Sequence, residues 1–330
     1  MRRFFLGLAA AAAVFCILLF YPAGQAGSPQ KEATAAATAA AAAESIAKPP
    51  AATPAGKRFD AKTSLLVLLD GQSTEMSLQD YLTGVLLAEM PTDFPLEALK
   101  AQAVASRTFA LHQQTAGKHL NADVCGDSDC CQGWVSSEGF SAEAVKNAAE
   151  AVRATDGLVL CYDGALIDAT FFSCSGGSTE AAAEVWGSDV PYLQAVESPN
   201  EEDAPRYCDE TSLPRAEFVR ILQTENPAIT GAEPLLGTIT RTQGGGVATA
   251  TLCGQVFEGT TLRRLFGLRS TDLTIRDEGE RIVLTTRGFG HRVGMSQYGA
   301  RAMAEAGDGF ETILLHYYQG AALYRLELSE

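Results

Sequence analysis

The chain reads as an α+β protein, with mixed helices and antiparallel strands in a single two-lobed domain around a central cleft, spanning residues 63–330. Three observations lead there. Apolar residues recur at spacings of three and four between residues 77 and 111, as on one face of a helix. Short runs in the middle and last third alternate apolar with polar, as strands do. A length of 330 residues, 46% hydrophobic and 20% charged, suffices to bury one sizeable core.

Ahead of that domain, Arg2 and Arg3 precede an uncharged run from Phe4 to Phe20, long enough to span a bilayer. Gly24-Gln25-Ala26 offers the small residues that a signal peptidase accepts, so residues 1–26 read as a membrane anchor or a signal segment. The expected localisation is the cell membrane, single-pass, with the folded domain outside the cytoplasm. Residues 27–62, rich in Ala with Pro49, Pro50 and Pro54, have almost nothing large and apolar to bury and read as a disordered linker. A formal net charge of −15, without clustered Lys and Arg, argues against a nucleic-acid partner.

After a strand at 64–69, Ser77 is an N-cap with Asp80 three residues on. Leu78, Leu82, Val85 and Leu86 share one helical face, and Glu89 continues it. A carboxylate ending an apolar stripe is partly desolvated, which favours its protonated form and suits it to act as a general acid. A second helix starts near Pro95, and its inward row Leu96, Leu99, Ala103 is interrupted by Arg107. The plainer alternative is that Glu89 and Arg107 form a buried ion pair, or that both face solvent.

His119, Cys125, Cys130 and Cys131 lie within thirteen residues, a density of ligands that tetrahedral Zn2+ accepts. Disulfides compete, as is natural outside the membrane. Seven cysteines follow Cys16, so complete pairing leaves one over, and a Cys130–Cys131 bridge would be strained.

Farther on, Tyr162-Asp163-Gly164 marks a hairpin and the chain turns at Ser175-Gly176-Gly177. Ser173, Ser175 and Tyr192 are the polar candidates to line a cleft. Cys174 with His291 would suit a cysteine hydrolase, but a cysteine alternating with two serines points away from their face. A helix at 214–223 and strands near 237–241, 248–252 and 254–257 follow, with Arg263, Arg264 and Arg269 as a solvated face or as partners of a ligand's carboxylates.

The stretch RGFGHRVGMSQYGA, residues 287–300, joins an alternating strand at 282–286 to a helix at 296–306, and projects His291, Gln297 and Tyr298 from a glycine-rich corner. A serine-hydrolase elbow needs G-x-S-x-G and a phosphate loop needs a lysine; neither is present. A structural turn with a satisfied core histidine is the other reading of this corner.

The segments YLTGVLLAEMP, FPLEALKAQAVASRTFAL, SCSGGST, VWGSDVPYL and GHRVGMSQYGA resemble the stage II sporulation protein D family of peptidoglycan lytic enzymes over about residues 64–325. The resemblance implies that Glu89 is the catalytic acid, that Arg107 is a supporting cleft residue, and that a structural zinc sits on His119, Cys125, Cys130 and Cys131. Arg292 stands where many relatives have Gly, so the turn there has a negative φ or tolerates strain. The expectation is a lytic transglycosylase that cleaves the MurNAc–GlcNAc bond of peptidoglycan glycan strands, leaving a 1,6-anhydro product during sporulation engulfment. Ser173, Ser175, Tyr192, His291, Gln297, Tyr298 and Arg107 would bind sugars. Implied partners are a sporulation amidase, membrane engulfment proteins and the membrane itself. Two alternatives stand beside it: a non-catalytic glycan-binding amidase enhancer, and a hydrolase using water with Glu184 or Asp168 as base.

Overall fold

A computed structural model describes residues 58–198, 200–231 and 234–328. A helical turn, α1 (Phe59–Lys62), leads into β1 (Ser64–Leu69) and β2 (Gln72–Ser77). This hairpin closes at Asp70 and Gly71, both with positive φ. The side chain of Ser77 accepts from the amide of Asp80 and so caps α2 (Leu78–Glu89), as its spacing predicts. Pro95 precedes α3 (Leu96–Ala116), whose 21 residues pass through the centre of the molecule with 101 to 111 all buried. After β3 (Val124–Cys125), α4 (Ala142–Ala154) packs on both earlier helices. Ser141 caps it, and its inner face is small, Ala148, Ala151 and Val152.

The middle of the chain contains β4 (Leu158–Tyr162), β5 (Ala165–Leu166), β6 (Phe171–Phe172), β7 (Gly177–Ser178), α5 (Ala182–Trp186) and β8 (Glu197–Ser198). Next come β9 (Cys208–Pro214), α6 (Arg215–Glu225), the antiparallel meander β10 (Leu236–Arg241), β11 (Val247–Leu252), β12 (Gln255–Glu258), and α7 (Gly259–Leu265). The chain ends with β13 (Asp272–Asp277), β14 (Arg281–Arg287), β15 (Met295–Ser296), α8 (Gln297–Glu305), α9 (Phe310–Tyr317) and β16 (Ala322–Arg325). Pairing is antiparallel except for the two-residue pairs β1–β3 and β15–β6. The class is therefore α+β.

The apolar side chains gather in three clusters. One surrounds α2, α3 and α4, one joins α3 to β4, α8 and α9, and one fills the space between α6, α7 and the meander. Helix α3 belongs to the first two, so residues on its opposite faces hold two cores together.

Two expectations need correction. The linker expected over 27–62 ends sooner, because Phe59–Lys62 is helical and Asp60 is buried. Among the described residues no helix is long and apolar enough to cross a membrane, which corrects the expected single-pass membrane localisation. The N-terminal segment 1–26 on which that expectation rested lies outside the described residues.

Candidate functional site

Glu89 is the last residue of α2, at the end of the row Leu78, Leu82, Val85 and Leu86, all fully buried. The carboxylate itself is half-buried and accepts the Gly133 amide at 2.5 Å. Burial raises its pKa above the ordinary carboxylate value, and the Gly133 bond opposes this without cancelling it. A Cβ at 133 would stand 3.0 Å from Glu89 Oε1 and 3.4 Å from Ala88 Cβ, so a larger residue there would press the carboxylate aside by a few tenths of an ångström.

A line of polar groups runs from this carboxylate to the glycine-rich corner. Beside Gly133, buried Gln132 donates through Nε2 to Ser106 O at 3.2 Å. Gln102 Nε2 donates to Ser106 Oγ at 3.0 Å, and Gln297 Nε2 lies 3.5 Å from Gln102 Oε1. Gln102 and Ser106 are four apart on α3 and so share a face. The loop after Glu89 closes the same distance from the other side: the Phe94 ring meets the edge of Tyr298 at 5.1 Å, with the Arg301 guanidinium over both rings. Gln297, 5% exposed, turns its amide into this buried line and Tyr298 is half-buried; none of these contacts joins either residue to the Glu89 carboxylate itself. Gln132, Gly133, Gln102 and Ser106 were missed in the sequence, where only the adjacent Cys-Cys-Gln-Gly run gave a signal.

The corner is fixed by β15 lying parallel to β6 and by Ser296, whose Oγ caps α8 through the Gly299 amide. Ser173, half-buried, accepts the Tyr298 amide at 3.0 Å through its backbone oxygen. Arg292 takes φ +66, so the turn tolerates the strained left-handed conformation. Its side chain, 1% exposed, bonds Glu180 at 3.2 Å and the backbone oxygens of Ser178 and Gly244. This ties the corner to the β10–β11 turn.

Several expected binding residues have other work. Arg107 is fully buried; its Nε bonds Asp60 Oδ1 at 2.9 Å, its Nη2 bonds Asp60 Oδ2 at 2.6 Å, and its Nη1 bonds Leu158 O at 3.0 Å. It neither lines a cleft nor pairs with Glu89: its partner comes from α1, in a stretch that composition marked as linker. Ser175 is also sealed, with its amide 2.5 Å and its hydroxyl 3.0 Å from the buried carboxylate of Glu201. Its place is structural rather than sugar-facing. Tyr192 OH accepts the Asp168 amide at 3.1 Å and its ring sits 5.6 Å from Tyr162. None of these contacts joins it to Glu89.

His291 is half-buried, and its Nδ1 accepts the Val293 amide at 3.1 Å. Burial first, and then the Arg263 charge, push its pKa down to about 4. This is the satisfied histidine of the alternative reading. Cys174 is fully buried, and burial with the Glu201 charge pushes its thiol up to about 11, so the cysteine-hydrolase idea has no thiolate. Of the two carboxylates considered as a second base, Glu184 is exposed; Asp168 has a buried Oδ1 with no hydrogen-bond partner.

The ligand atoms of His119, Cys125, Cys130 and Cys131 all lie within 4.8 Å of one another. His119 Nε2 is 3.2 Å from Cys131 Sγ and 3.8 Å from Cys130 Sγ. Tetrahedral zinc with bonds of about 2.0–2.3 Å needs ligand separations of this size. Cys125, Cys130 and Cys131 are free thiols, so the cluster is not a disulfide.

The family described as Stage II sporulation protein matches residues 71–162. The chain is 39% identical over 254 residues to stage II sporulation protein D of Bacillus amyloliquefaciens, covering 74% of this chain and 73% of that one. Against the protein of the same name from Bacillus subtilis it is 38% identical over 263 residues, covering 76% of each. It is also 31% identical over 293 residues to an amidase enhancer of Bacillus subtilis, covering 73% of this chain and 40% of that protein.

Proposed function

Starting from the fact that the chain belongs to the stage II sporulation protein D family, we propose that it is a lytic transglycosylase cleaving peptidoglycan glycan strands during sporulation. The observation that carries this is Glu89, half-buried at the end of an apolar stripe, with its pKa raised by burial and a single backbone amide to orient it.

Protonated Glu89 donates its proton to the glycosidic oxygen as the MurNAc–GlcNAc bond breaks with oxocarbenium character. The resulting carboxylate then takes the proton of the sugar's own 6-hydroxyl while that oxygen bonds to C1 and closes the 1,6-anhydro ring. The nucleophile is internal to the substrate, so one carboxylate serves both steps. Under this reading half-buried Tyr298 would position the sugars, and buried Gln297 would support it from behind through Gln102.

His119, Cys125, Cys130 and Cys131 would hold a zinc ion whose chemistry is architectural, since four protein ligands leave no position for water. The loop they fix continues directly into Gln132 and Gly133, and so holds the amide that orients Glu89. The partners under this reading are peptidoglycan glycan strands and a sporulation amidase that removes stem peptides.

The likeness to an amidase enhancer favours a second reading, a glycan-binding module that stimulates another enzyme. Digestion of purified sacculi, followed by mass analysis, separates the two. Glu89→Gln should abolish release of anhydro-muramic ends, a loss of at least about a hundredfold, while sacculus binding persists. Unchanged release by that variant refutes the role of Glu89, no release by the unaltered protein points to the enhancer, and reducing ends in place of anhydro ends point to a hydrolase.

A further inference from the structure

Trp186 ends α5 and is 46% exposed, a large aromatic surface left open beside the corner. It does not dangle: its ring lies 5.3 Å from that of His291, which meets Phe172 at 5.6 Å on its own account. The Val293 amide on Nδ1 and the Phe172 ring hold the His291 ring in place behind the indole. An exposed, preorganised indole is the surface on which the apolar C–H face of a pyranose stacks at little cost in side-chain entropy.

Positive charge collects at the same corner of a chain whose net charge is −15. The guanidiniums of Arg206 and Arg269 each lie 5.7 Å from the centre of the Phe289 ring, two residues before His291. Arg269 also pairs with Asp209 at 3.4 Å. Arg206, exposed and held at φ +70, has no carboxylate partner among the described residues. Arg263 has none either; half-buried, it donates through Nε to Leu268 O at 3.3 Å, and its charge acts on His291. A half-buried cation with no counter-charge is costly unless something anionic arrives to meet it.

We propose that Trp186, with Arg206 and Arg263, forms a subsite for a sugar ring that carries a carboxylate. On the reading of the chain as a peptidoglycan-directed protein, on which this inference rests, the matching unit is a muramyl residue. Its carboxylate comes either from the free lactyl group or from an attached stem peptide; arginine recognises the carboxylate in both cases.

The test is equilibrium binding, followed by tryptophan fluorescence, in a Glu89→Gln background so that turnover does not consume the ligand. Four probes of matched length are titrated: glycan strands with free lactyl groups, the same strands with those groups converted to methyl amides, strands bearing stem peptides, and chito-oligosaccharides. The protein should bind one of the two carboxylate-bearing probes about tenfold tighter than the neutral ones; which one it prefers identifies the source. Arg206→Asn with Arg263→Gln should erase that preference and leave chito-oligosaccharide binding unchanged; asparagine suits the left-handed backbone at 206. Trp186→Ala, read by calorimetry, should weaken all four by about tenfold. A double arginine variant that still prefers carboxylate, or a Trp186→Ala variant that binds normally, overturns the proposal. Because no cleavage is measured, a failure of the transglycosylase reading would show separately, as missing anhydro products with this binding pattern intact.

Discussion

Asp60→Ala puts the relocated Arg107 to the test. The guanidinium of Arg107 and the carboxylate of Asp60 are 0% and 1% exposed and share three contacts of 2.6–3.1 Å. Removing Asp60 leaves a buried cation facing only carbonyl oxygens and the Thr155 hydroxyl. Breaking such a pair from one side costs about 3–5 kcal/mol, a large share of the roughly 5–15 kcal/mol that holds a domain folded. Urea titration followed by far-UV circular dichroism should show the midpoint falling accordingly with an unchanged slope. The pair variant Asp60→Ala with Arg107→Met, which removes both charges, should recover most of the loss. Folded Arg107→Met protein should bind glycan as the unaltered protein does. If Asp60→Ala unfolds within about 1 kcal/mol of the parent, or if Arg107→Met folds normally but no longer binds glycan, Arg107 is a cleft residue and the assignment here is wrong.

Other outcomes follow from the same geometry. A Cβ on Gly299 would stand 2.1 Å from Tyr317 Oη and 2.2 Å from Ser198 Oγ, both buried, so Gly299→Ala should destabilise by about 1–3 kcal/mol in thermal unfolding. His291 is held neutral in the folded protein, with a pKa of about 4 against 6.5 when unfolded. Between those values the unfolded chain takes up a proton that the native chain refuses. Stability should therefore fall by up to about 3 kcal/mol as pH drops through this window, and His291→Gln should flatten that part of the stability curve; an identical curve for the variant would show the histidine to be unperturbed. Purified protein should contain about one zinc per chain by elemental analysis, and chelation or Cys131→Ala should lower the melting temperature; a full complement of metal in Cys131→Ala would rule out the cluster.

Much of the scaffold could be read locally. Ser77 announces α2, Pro95 announces α3, Asp163-Gly164 announces the β4–β5 hairpin, and Ser296 with Gly307 brackets α8. Each is a matter of a few neighbouring residues and their backbone preferences. Helix α4 was legible too but went unread: Ala148, Ala151 and Val152 are buried on one side while Glu143, Lys146 and Arg153 are exposed on the other. The raised pKa of Glu89 was also legible, since it follows from the apolar stripe that the carboxylate terminates.

Which partner each polar group would find was not legible. Glu89 meets an amide 44 residues away, Arg107 a carboxylate 47 away, and Ser175 a carboxylate 26 away. Helix periodicity says that Arg107 and Glu89 both face inward; it cannot say that they face different interiors. The local chain chose its helices, its turns and the acid at the end of a greasy row, because those depend on short-range sterics and burial. Folding chose what stands opposite that acid and which arginines remain unpaired, because hydrogen bonds and charges respond to distance in space and carry no trace of it along the sequence.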